Sequence, residues 1–186
     1  YTYFSDDFLS RTRKNIMKHM LKKQNMGLLI GRAGQNVKSK EWDLIFITEI
    51  IPDQNMFYRG GATFIPLYLF TNSLKGNKNS NFTQDFLKFI SEQYPNKQIN
   101  PEEILGYIYA VLHSPTYRQK YQEFLKIDFP KIPFVKDYSK FKKLSELGSE
   151  LIELHLMKKQ SNKNIAKFEI SGSNEVEYVK YKNQKI

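Results

Sequence analysis

The chain has no cysteine among its 186 residues. That excludes disulfides, thiol nucleophiles and cysteine metal sites, and it fits a cytoplasmic protein of bacterial type. Long apolar runs are missing as well. A membrane-spanning helix needs ~20 consecutive apolar residues, and the longest candidates, 43–52 and 63–70, have the length of buried strands. No secretory signal is recognisable. A chain that opens on Tyr1 instead of Met is expected to be a fragment of a longer protein.

Negative charge is scarce. Asp and Glu number 19 against 29 Lys and Arg, a net charge of +10. Such a field favours a polyanion, either nucleic acid or an acidic membrane surface. The excess is uneven: residues 1–40 hold nine Lys and Arg against Asp6 and Asp7, and the tail from Lys158 holds seven lysines against three glutamates.

Catalytic motifs are missing too. Gly27, Gly31 and Gly34 lack dinucleotide-fingerprint spacing, and there is no Walker A sequence. His19, His113 and His155 share no metal-ligand spacing. Pro52-Asp53 could open a metal-dependent nuclease motif, but no acid-x-Lys triplet follows at short range, so it reads as a turn. "FIPLY", 64–68, has one proline and no amide, unlike the loop with which an adenine methyltransferase holds a flipped base. His113, at a helix C-terminus, is expected to be a structural cation, and His155, on an apolar helical stripe, a hydrogen-bonded core residue.

What is present is a foldable core, with 40% hydrophobic and 15% aromatic residues. The expected class is α/β or α+β: one domain over 1–186, a mixed sheet, a central block of packed helices, and strands at both ends. Helices are expected over 7–24, 83–94, from Pro101 to His113, from Pro115 through Leu125, and over 138–158. Thr83 and Ser114 serve as caps, and Pro101 and Pro115 occupy first-turn positions. Phe82 is placed to staple Leu87. Strands are expected at 28–30, 42–51 and 63–70, where Pro66 argues for an edge or a bulge. The "IAKFEI" and "EVEYVKY" segments around Ser171-Gly172 read as a hairpin. Residues 128–134, with Pro130 and Pro133, should be extended.

Three polar loops carry the residue types that read base edges and hold phosphates. These are "GRAGQNVKSK" (31–40), a loop over 53–61 containing "YRGG", and the loop at 71–81 containing "KGNKNSN". Arg32, Gln35, Asn36, Arg59 and Asn77 are the candidate base readers. Lys38, Lys40, Lys75 and Lys78 are candidate phosphate contacts, with Arg118, Lys120 and Lys126 added from the helical region. No metal ligand and no catalytic residue is assigned.

The stretch "GYIYAVLHSPTYRQKYQEFLKIDFPKIPF", 106–134, resembles the C-terminal target-recognition domain of type ISP and related single-chain restriction–modification enzymes. "NMGLLIGR", "WDLIFITEII", "FIPLYLF", "NFTQDFLKFI" and "FKKLSELGSELIELHLM" agree in order, so the likeness runs from Tyr1 to His155. It implies a non-catalytic domain that recognises double-stranded DNA. That domain would present the DNA to an upstream adenine-N6 methyltransferase domain of the same chain, which uses S-adenosylmethionine. A nuclease and a translocating ATPase further upstream would add Mg2+ and ATP. The family pattern continues beyond the final strands, so the C-terminal part of the domain is expected to be truncated. Two alternatives compete: a divergent nuclease or methyltransferase fragment using Asp53, Asp85 or His113, and a scaffold module without base readout.

Overall fold

The computed structural model describes residues 14–21, 23–31, 42–53, 55–57, 61–71, 77–125 and 127–159. Their elements follow in the order α1 (Lys14–Met17), β1 (Gly27–Ile30), β2 (Ile45–Thr48), β3 (Thr63–Pro66), β4 (Tyr68–Phe70), β5 (Lys78–Ser80), α2 (Gln84–Gln93), α3 (Pro101–His113), α4 (Pro115–Lys120), α5 (Gln122–Leu125) and α6 (Tyr138–His155). The class is α+β. The described strands pair antiparallel throughout, where a mixed sheet was expected.

One sheet has the order β2-β1-β3. Its middle strand, Gly-Leu-Leu-Ile, is buried at every position, so it presents apolar side chains to both faces. The register sets Ile30 opposite Ile45 and Thr63, and Gly27 opposite Thr48 and Pro66. The single strand expected over 63–70 is two. Pro66 ends the edge strand β3, as its missing N–H favours. The chain then breaks at Leu67, whose N–H donates to the Met26 carbonyl (2.8 Å), and Tyr68 starts a second sheet with β5. The expected 42–51 strand keeps ladder pairing only over 45–48.

Local signals start the longer helices. Thr83 accepts from the Phe86 N–H to open α2, while Phe82 packs its ring on Phe86 at 5.3 Å, one residue before the expected Leu87 staple. Asn100 and Glu103 form a reciprocal capping box at α3. Ser114 caps α4, with Pro115 in its first turn. The helix expected to continue through Leu125 breaks at Tyr121, and α6 ends at His155, three residues early. The part of the 7–24 helix inside the described residues is one helical turn followed by turns. The C-terminal hairpin lies outside the described residues.

Helices α3 and α6 cross at small residues. A Cβ on Gly148 would lie 1.8 Å from the Gly106 carbonyl oxygen, and a Cβ on Gly106 would lie 2.5 Å from that of Ser145. Backbones this close exclude any side chain at the contact. Ser145, 1% exposed, donates to the Glu103 carbonyl at 2.7 Å. Glu103 also pairs with Lys142. Burial alone would raise its carboxyl pKa, but the bonds from Lys142 and the Asn100 N–H, with the Lys142 charge, hold it below its ordinary value.

The proline-spaced segment 128–135 lies across this helical block. Alternate carbonyls of an extended chain point the same way, and three tyrosines take every second one. Tyr117 donates to the Lys131 carbonyl (2.8 Å), Tyr107 to Pro133 (2.6 Å) and Tyr94 to Val135 (2.5 Å). The Tyr107 hydroxyl also accepts from the Val135 N–H (3.2 Å). Burial raises all three phenol pKa values, that of Tyr94 to about 12, so each stays a donor.

Candidate nucleic-acid interface

The sheet register brings together described ends of two of the three loops expected to recognise DNA. Strand β1 exits at Ile30 and β2 enters opposite it, so the 31–44 connection is rooted at that end. Thr63, where the β2–β3 connection returns, pairs with the same Ile30. Between these roots lies an aromatic floor. The Gly31 N–H donates to the Leu44 carbonyl (2.9 Å), and the Trp42 indole donates to the Gly31 carbonyl (3.1 Å). Phe57, 4% exposed, stacks on Phe46. A Cβ on Gly31 would lie 2.7 Å from the Phe57 ring, so only glycine fits there. Arg32, Gln35, Asn36, Lys38, Lys40 and Arg59 lie outside the described residues. So do Lys75 and Lys126.

The third loop belongs to the other sheet, which starts from the opposite end, where Asn25 takes the Tyr68 N–H (3.2 Å). Asn77 is exposed there, and its carbonyl accepts from the Thr71 N–H. Lys78 was expected in a loop; it opens β5 instead. Its ammonium sits 3.6 Å above the Tyr68 ring and 3.8 Å from Glu102. Burial and the hydrogen bond to Glu102 push the Tyr68 phenol up. Lys78 is therefore already partly neutralised by the fold.

From the helical side, Arg118 reaches the floor. Its guanidinium lies 5.8 Å from the Trp42 ring centroid, its Nε donates to the Leu112 carbonyl (2.7 Å), and its Nη2 lies 3.2 Å from His113 Nδ1. It thus satisfies an end carbonyl of α3 beside the Trp42 ring. Lys120, on α4, is exposed beside Tyr121.

His113 departs from the sequence expectation. Burial, then the charge of Arg118, then His155, lower its pKa to about 4. The ring is neutral at pH 7, because the desolvation outweighs any pull of the α3 C-terminus on a cation. His155 makes the expected hydrogen bond, 2.6 Å to the Tyr109 hydroxyl, but the residue is exposed and not part of the core. The catalytic alternatives fall on separate elements. Asp53 caps a turn by accepting from the Asn55 N–H (2.5 Å), Asp85 is exposed in the first turn of α2, and His113 ends α3. Among the described residues no group of three His, Cys, Asp or Glu is arranged to hold a metal ion. No described helix is long and apolar enough to cross a membrane.

Three clefts are lined by described residues. One of about 600 Å³ holds Lys23, Lys78 and Lys158 with Glu49 and Glu102. Another, of about 310 Å³, is rich in glutamate. The third, of about 410 Å³, is lined by Trp42, His113, Pro115, Arg118, Gln119 and Gln122, with no carboxylate among the described residues. Sequence reading missed this group. The Ser-Pro junction places His113 and Arg118 together, but Trp42 arrives from 71 positions earlier and only the fold supplies it.

The chain matches the model of the type ISP C-terminal specificity domain over residues 1–186. No curated protein matches it. Among solved structures it is similar to a DrdV–DNA complex seen by cryo-electron microscopy, at 30% identity and a TM-score of 0.61, over 77% of this chain and 13% of that one. It is also similar to a nuclease-deletion mutant of the type ISP restriction–modification enzyme LlaGI in complex with a DNA substrate mimic. There the identity is 25% and the TM-score 0.50, over 72% of this chain and 10% of that one. The chain thus spans only a small part of the length of either enzyme.

Proposed function

The chain belongs to the family of type ISP C-terminal specificity domains, and from that premise we propose that it selects the DNA sequence on which a larger restriction–modification enzyme acts. The carrying observation is the full-length family match. The two similar structures hold DNA or a DNA mimic, and the net charge of +10 suits a polyanionic partner. In this reading the domain performs no chemistry itself. Residues of the 32–41 and 58–60 segments, rooted on the Gly31–Trp42–Phe57 floor, read base edges, and Lys120 and its neighbours hold phosphates. The rigid scaffold lets the loops vary without disturbing the fold.

The rest of the assignment is part of the same proposal. An upstream adenine-N6 methyltransferase domain receives the selected site and draws on S-adenosylmethionine. A nuclease and an ATPase using Mg2+ and ATP extend the parent enzyme, which works in the cytoplasm where its DNA lies. The test is a selection experiment. The intact protein is incubated with pooled random duplexes, and the retained DNA is sequenced. A single enriched word is expected; retention without enrichment removes the specificity role.

A further inference from the structure

We propose that His19 and Asn25 are positioning residues for the choice of DNA sequence: their side chains stand in for a third strand beside β4 and so set where the Asn77 amide meets the bases. This rests on the DNA-recognition reading above and extends it to Asn77.

Strands β4 and β5 form a sheet of two strands, three residues each. Two short strands alone are marginal in water, and the edge of β4 that faces away from β5 needs partners for its backbone groups. Asn25 and His19 supply them. Asn25 Oδ1 accepts from the Tyr68 N–H (3.2 Å), and Asn25 Nδ2 donates to the Tyr68 carbonyl (2.9 Å). One amide thus takes both groups of one residue, as a residue on a neighbouring strand does. Two positions on, the Phe70 N–H donates to His19 Nδ1 (2.9 Å). Asn25 Nδ2 also donates to the His19 carbonyl (2.9 Å), which ties the two residues together. His19 accepts at Nδ1 only as a neutral ring, and burial, then the Lys18 charge, lower its pKa in that direction.

Tyrosine and tryptophan aside, the buried polar side chains among the described residues are His19, Asn25 and Ser145. Ser145 serves the α3–α6 crossing, and the other two both go to β4. Apolar side chains would cover that edge but leave its N–H and C=O groups unpaired, whereas buried hydrogen bonds fix one alignment. The alignment reaches Asn77. With the Tyr68 and Phe70 groups turned to Asn25 and His19, those of Leu67 and Thr71 turn toward β5. The Leu67 carbonyl accepts from the Asn81 N–H (2.8 Å), and the Thr71 N–H donates to the Asn77 carbonyl (3.2 Å). Lys-Asn-Ser in β5 specifies no register by itself, so its place follows β4. Asn77 is exposed, and an asparagine amide takes an adenine edge through two hydrogen bonds. Both bonds are directional, so such a readout tolerates little displacement of the backbone that carries it.

The test is a double-mutant cycle in the intact protein. Binding of the selected duplex and of a scrambled one is measured for Asn77→Ala, His19→Leu, His19→Asn and the combination of Asn77→Ala with His19→Leu, with melting temperatures on the same preparations. Asn77→Ala should cut the preference for the selected duplex about fivefold to a hundredfold, the loss of one bidentate base contact. His19→Leu should cut it within the same range while its hold on the scrambled duplex is kept. His19→Asn, whose Oδ1 takes the place of Nδ1, should restore it. In the combination the two losses should not multiply, since both remove one contact. A merely structural histidine would lower the Tm and either spare the preference or add its own loss to that of Asn77→Ala; either result overturns the proposal. An unchanged preference in Asn77→Ala overturns it as well. Should His19→Leu fail to fold, His19→Ser, small enough for water to take the Phe70 N–H, decides by the same criteria. A wild-type protein with no preference for any duplex removes the recognition reading and this proposal with it. Preference in which His19 plays no part removes the proposal alone.

Discussion

The centre of the helical block and its edge beside Trp42 treat buried polar groups differently. In the block, Ser145 gives its hydroxyl to Glu103, the strap carbonyls of 131, 133 and 135 go to three tyrosines, and Asn100 with Glu103 closes the α3 terminus. Where the block meets Trp42, the Nε2 of His113, at the end of α3, is buried with no hydrogen-bond partner among the described residues. A satisfied interior is the ordinary state of a fold, so a buried ring nitrogen left over stands out from it. Among the described residues, the clefts around Lys78 and Lys142 hold glutamates beside lysines.

The comparison breaks most readily in the block. Gly148→Ala puts a methyl group into the Gly106 carbonyl, a backbone atom that cannot swing aside. A loss of about 3 kcal/mol is expected, read by urea denaturation; a cost under half that would mean the helices separate easily. Next comes Arg59→Ala. It should reduce preference for the selected duplex by about 1–3 kcal/mol and leave the melting temperature unchanged, so a lowered Tm would place Arg59 in the scaffold instead.

Tyr107→Phe strands the Pro133 carbonyl and the Val135 N–H. It should cost about 1–2 kcal/mol of stability with duplex discrimination retained, measured by melting and binding on one preparation. The pH dependence is smaller. Below its ordinary pKa of 6.5 the His113 ring takes a proton in the unfolded chain, but in the fold it does so only near 4. The unfolded state therefore binds more protons in that window, and stability is whole above 6.5 and lost as pH falls toward 4. Arg118, His155 and Tyr109 face the ring. Replacing His113 with Phe should flatten the curve between those pH values; an unchanged slope assigns it to other groups. Lys120→Ala, at an exposed position proposed to hold phosphate, should give the smallest change. Both duplexes should weaken alike, with the salt slope reduced by about 1; a change in preference would make it a base contact.

How much of this was legible depended on distance along the chain. Thr83, Ser114 and Pro115 act within one turn of themselves, so their roles could be read directly. The break at Leu67 could not, because it depends on Met26 and Asn25 taking the backbone on either side of it. Strand β5 is Lys-Asn-Ser, with no strand propensity of its own; it forms because β4 offers a partner. The charge state of His113 was misread for the same reason. A helix C-terminus is visible in sequence, but the burial and the neighbours Arg118 and His155 arise from packing. The family likeness was legible, while the meeting of β1, β2 and β3 beside the Trp42–Phe57 floor came from the sheet register.

The strap offers a last consequence. Three tyrosines hold it by its main-chain oxygens, and the side chains at Lys131 and Pro133 are exposed. At these two positions the clasp grips backbone and does not read the letters it closes on, whereas Phe134 is held by its ring, stacked on Tyr107. Lys131 should therefore accept many replacements in a saturation-mutagenesis library, while the tyrosines that face it accept few. The strap is thus a place to attach a fluorophore or a tether for following the domain at work.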